Sequence, residues 1–126
     1  MRPSLALSIG AVFHILIGLP ILLVPAQMLA ALGIAAPPDI ALVQARDAGT
    51  VIIGVGIINW LARNAVGAPL RGLLWGNIFI RVTAMVVNYW ELAAGQIPSG
   101  AAGFFPVLTA INIALIIMFA LGLRRA

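Results

Sequence analysis

Four apolar runs of about 20 positions each dominate the chain, at roughly 5–24, 40–62, 72–93 and 104–123. Short segments rich in Gly, Pro, Asp and Arg separate them. A helix needs about 20 mostly apolar residues to cross the hydrocarbon core of a bilayer, so each run predicts one membrane span. Backbone polar groups in lipid must be satisfied within the segment, which favours helices. The pattern therefore predicts an all-α, polytopic membrane protein: one domain over residues 1–126, folded as a left-handed four-transmembrane-helix bundle. The first run is too long for the core of a signal peptide and is expected to stay in place, bent at Pro20. A shorter apolar piece, Ala26 to Leu32, follows a proline and precedes Gly33. It is too short to span and reads as an interfacial helix closed by Pro37-Pro38.

The polar interruptions carry the chemistry. In Arg71–Glu91 (RGLLWGNIFIRVTAMVVNYWE), Asn77, Arg81, Asn88 and Glu91 fall within an arc of about 80° on a helix. An ionised side chain at mid-bilayer costs about 2.5–3.5 kcal/mol on insertion scales, so the other helices should cover this stripe. At 1.5 Å per residue from the arginine-rich ends, Arg81 lies about 15 Å deep, His14 about 14 Å and Asp47 about 22 Å. Thr109 and Asn112 also fall near the middle of their run. These depths predict an Arg81–Asp47 ion pair, with a second pair between Arg46 and Glu91 nearer the opposite surface. Asn77, Asn88 and Asn112 read first as interhelical hydrogen-bond groups. The cluster either locks the register of the bundle or lines a cavity for a ligand, proton or ion. Gly49, Gly54 and Gly56, with Ala45, suit close helix packing.

Composition fixes the compartment. Hydrophobic residues make up 63% of the chain and charged residues 8%, far below the roughly 25% that covers a soluble surface. All seven basic residues are arginines. Arg2, Arg63, Arg71, Arg124 and Arg125 fall on the side that holds both termini, which the positive-inside rule places in the cytoplasm. The lysine-free composition has a bacterial look, so the expected location is a bacterial inner membrane. No arginine cluster points to nucleic acid. With one histidine, three carboxylates and no cysteine, the chain offers no metal cage. It shows no phosphate-cradling glycine loop and no nucleophile beside a base. No cofactor is expected, and nothing in the residues argues for an enzyme; an intramembrane enzyme would require a substrate-sized cavity opening onto Asp47 or His14.

The run Leu42-Val43-Gln44-Ala45-Arg46, the apolar helix after it, and a third helix ending in Trp90-Glu91 resemble the small four-span scaffold proteins of eukaryotic sterol biosynthesis. Those proteins hold membrane enzymes together without catalysing a step. The chain also resembles the DoxX-like small four-span bacterial membrane proteins. Both resemblances imply an accessory or scaffold role. The functional expectation is a non-enzymatic subunit, or a binder of a lipid-like or other small apolar ligand at His14, Asp47, Asn77, Arg81, Asn88 and Asn112. Its partners would be the bilayer and a second copy or a larger membrane complex. The alternative is a small transporter or proton-coupled exchanger in which Asp47, Arg81 and His14 exchange partners.

Overall fold

The computed structural model describes the backbone of residues 1–126 and every side chain except that of Ser99. Its elements are α1 (Pro3–Leu23), α2 (Pro25–Ala31), α3 (Asp39–Leu61), α4 (Gly67–Ala93), α5 (Ser99–Ala102) and α6 (Phe105–Leu123). The fold is all-α, and four helices are long and apolar enough to cross a membrane. This is a multi-pass membrane protein.

Local chemistry places the breaks. Prolines open α1, α2 and α6 in the first turn, where a missing N–H costs nothing. Pro20 is held inside α1, which ends three residues later, and Val24 then donates to the Pro20 carbonyl at 2.9 Å. Gly33 takes φ +87° just beyond α2, a conformation that suits glycine. α3 begins directly after Pro37-Pro38, with Asp39 in a first turn that favours negative charge. The Gly/Pro/Ser segment before α6 holds the short α5.

Two helix pairs form the bundle, α1 with α3 and α4 with α6, and α1 also packs on α6. The α1–α3 contact depends on glycine. A Cβ on Gly49 would sit 2.7 Å from the Leu22 nitrogen and 3.0 Å from the Gly18 carbonyl oxygen. A Cβ on Gly56 would meet Ile15 at 2.9 Å, the Ala11 carbonyl oxygen at 3.0 Å and His14 Cβ at 3.1 Å. Small residues thus bring the two backbones together where lipid offers no hydrophobic drive. Gly54 faces open space instead.

The tightest core lies in the half of the bundle that carries the chain termini. Ala6 and Leu7 of α1, Leu70 and Leu74 of α4, and Leu115, Met118 and Phe119 of α6 bury one another there. α3 contributes nothing to this cluster. The turn between α3 and α4 is short, but their backbones do not pack side by side among the described residues. A gap separates their central parts.

Gly49→Ala should destabilise the protein by about 1–3 kcal/mol, as over-packing does, despite alanine's better helix propensity. Gly72, whose Cβ would meet nothing within 4 Å, should accept alanine with no loss or a gain of up to about 1 kcal/mol. Unfolding in mixed micelles compares the two. Equal tolerance at both positions would contradict the close α1–α3 approach.

Candidate functional site

Three helices bring a polar side chain to the central layer of the bundle. His14 sits near the middle of α1, Arg81 near the middle of α4 and Asn112 near the middle of α6. His14 and Asn112 are buried, at 4% and 7% exposure, and Arg81 is half-buried. Two of them are tied to their own helices by a donor reaching four residues back. His14 Nδ1 bonds the Gly10 carbonyl at 2.5 Å, and Asn112 Nδ2 bonds that of Leu108 at 3.0 Å. Each tie leaves an acceptor pointing towards α4.

Arg81 uses both acceptors. One Nη donates to His14 Nε2, and the other donates to Asn112 Oδ1 at 3.4 Å. The guanidinium carbon also lies 5.4 Å from the centroid of the Phe13 ring, within cation–π range. The donor and acceptor roles settle the tautomer of His14. A carbonyl can only accept and a guanidinium can only donate, so the proton is on Nδ1 and Nε2 is bare. The imidazole is therefore neutral in this arrangement, as is the asparagine. Arg81 Nε is buried and has no hydrogen-bond partner. Among the described residues, no carboxylate lies within 4.0 Å of an arginine side-chain nitrogen. The charge of Arg81 stands uncompensated at mid-depth.

One turn towards the termini, a second polar contact bridges α3 and α4. Asn59 of α3 and Asn77 of α4 form a reciprocal amide pair, with bonds of 2.9 and 2.8 Å. Asn77 also donates to the Leu73 carbonyl at 2.9 Å. Both are buried, Asn59 at 1% exposure and Asn77 at 4%. The pair spans an open space, with a hollow of about 410 Å³ beside it lined by Ile58, Pro69, Gly72 and Leu73, and a second space on the side of Arg81.

A cavity of about 300 Å³ occupies this second space. Phe13, His14 and Ile17 of α1 form its inner wall; Val51, Ile52 and Val55 of α3 and Ile80, Arg81 and Ala84 of α4 form its sides. Val51 and Ile80 are exposed, so the mouth opens laterally between α3 and α4. The surroundings are apolar apart from His14 and Arg81.

The expected ion pairs do not form. Asp47 is exposed and is not bonded to Arg81, whose partners are His14 and Asn112. Depth and direction both explain this. Gly56 packs on His14, and Asp47 lies nine residues earlier, about 13–14 Å along α3 towards the opposite surface. Asp47 also points about 160° away from Gly49, which faces α1. Arg46 is exposed, Glu91 is half-buried, and they do not pair either. Asn88 stands apart from the Arg81 cluster, about 10 Å along α4. It lines a separate hollow of about 210 Å³ with Leu32, Ile97 and Phe105. Thr109 bonds Tyr89 at 2.6 Å, joining α4 to α6 near that end.

Two participants were missed in the sequence, Asn59 and Phe13. Asn59 sits in the apolar run Ile57-Ile58-Asn59-Trp60, and that isolation was the available signal. Phe13 carried none, since an aromatic residue beside a histidine in an apolar helix looks like any lipid-facing ring. Comparison with protein families, curated proteins and solved structures finds no match.

A double-mutant cycle separates the observed partner from the expected one. His14→Leu and Arg81→Leu should couple by about 0.5–2 kcal/mol in micellar unfolding. Asp47→Leu and Arg81→Leu should add to within about 0.5 kcal/mol. Strong coupling to Asp47 would contradict the geometry.

Proposed function

We propose that the protein is a non-enzymatic membrane protein that holds a small apolar ligand between α3 and α4, its polar end directed at Arg81 and His14. The cavity beside Arg81 carries this reading. An intramembrane ionisable residue that only locked a fold would be expected to meet a partner of opposite charge or full burial. Arg81 instead lines a hollow of about 300 Å³ that opens towards lipid. That volume is at the lower end for small-molecule pockets, and apolar walls with a few convergent polar groups are their common form.

An accessory or scaffold role fits the same molecule, and the resemblance to four-span scaffold proteins and DoxX-like proteins supports it. For orientation, we infer a bacterial inner membrane with both termini in the cytoplasm. Arg63 and Arg125 line one surface hollow with Pro3 and Ser4, so basic residues gather at the end that holds the termini. Proton-coupled exchange through Asp47, Arg81 and His14 draws no support from the geometry, because Asp47 lies outside the layer occupied by the other two.

Native mass spectrometry of protein extracted in mild detergent tests the ligand reading. The wild type should release a non-covalent small molecule. Ala84→Phe, which fills the cavity from α4, should lower its occupancy about ten-fold, since the ligand and the new ring would compete for one space. A wild type free of ligand, or equal occupancy in the variant, would overturn the assignment.

A further inference from the structure

We propose that the ligand of the Arg81 cavity carries a single acidic group, a carboxylate on an apolar chain, and that this group supplies the counter-ion Arg81 lacks. The inference rests on the reading above and adds the charge of the ligand to it.

Arg81 has five N–H donors. Two are used, on His14 and Asn112, and Nε has no partner among the described residues. Both acceptors are neutral, so neither offsets the positive charge. A neutral ligand head, such as an alcohol or a ketone, would add an acceptor and leave the charge unchanged. A carboxylate would both supply acceptors and offset the charge. Its two oxygens match the planar fork of a guanidinium, and charge-assisted bonds of that kind are roughly twice as strong as neutral ones.

Size and depth narrow the class. Arg81 lies near the midpoint of α4, with 14 residues before it in the helix and 12 after it. A phospholipid headgroup belongs at the interface, about 15 Å from the middle of the hydrocarbon core. It is also bulky for a cavity of about 300 Å³. A small acid group on a flexible apolar chain has neither difficulty. Its head would reach Arg81, and its first carbons would lie against Ile17, Ile52 and Ala84. The remainder would leave through the gap between α3 and α4 into lipid. His14 contributes by what it cannot do in this tautomer: its bare Nε2 is already engaged with Arg81 and offers the acid no proton.

The test compares two probes of equal chain length, hexadecanoate and hexadecan-1-ol. Each is titrated into the full-length protein in phosphatidylcholine nanodiscs, with partitioning into empty nanodiscs subtracted. The acid should bind about ten-fold or more tightly than the alcohol, and Arg81→Gln should remove that preference while Arg81→Lys keeps part of it. Equal binding of acid and alcohol would overturn the acidic class and leave the apolar-ligand reading standing. Binding of neither probe to the wild type would overturn both. An acid preference that survives in Arg81→Gln would place the recognition elsewhere. The wild-type comparison needs no variant to fold, so it can overturn the acidic class by itself.

Discussion

A guanidinium at the centre of a membrane helix must be stabilised by something, and here neutral groups do it. His14 and Asn112 each present an acceptor to Arg81, and Phe13 presents a ring. The histidine and the asparagine can do so because each spends a donor on its own helix, four residues back. The tie fixes the rotamer and, for His14, the tautomer. Gly56 then matters for the site as much as for packing, since its missing Cβ lets α3 approach His14 closely. Local backbone chemistry, helix packing and the state of the ionisable groups are one problem in this molecule.

The cavity follows from how the packing is divided. α3 is committed to α1 by its glycines, and α4 is committed to α6 and α1 by Leu70 and Leu74. Neither commitment leaves α3 and α4 a surface with which to hold each other, beyond the Asn59–Asn77 pair. Two amide bonds of this kind contribute modestly in a membrane, about 0.6 kcal/mol on average for each interhelical contact. They bridge the gap more than they close it. The result is a lateral opening at the level of the charge.

Much of this was legible in the sequence. The four apolar runs set the fold class, and Pro25 and Gly33 marked α2 from its start to its end. Rise per residue placed His14, Arg81 and Asn112 in one layer, and that placement matches the structure. The estimate failed for Asp47 because it counted depth from the far helix end. α3 ends only about 7–8 Å past the His14 layer by its rise, whereas α1 and α4 continue further. Nothing in the residues announced that offset. The glycines of α3 announced close packing, but not that the neighbour would be α1. The direction of Asp47 depends on that choice, since a helix turned to put Gly49 and Gly56 against α1 carries Asp47 outward. Asn59 stayed hidden because its partner lies across a turn whose length says little about how its two helices diverge.

Neutral His14 hands a bare Nε2 to Arg81. The chain contains one histidine, so its imidazole can be followed without ambiguity. Nitrogen-15 NMR of His14 in nanodiscs at neutral pH reads the protonation of each ring nitrogen directly. A protonated Nδ1 and an unprotonated Nε2 are expected, with Nε2 shifting in Arg81→Gln as its donor is altered. An imidazolium with both nitrogens protonated, or a proton on Nε2 alone, would contradict this arrangement.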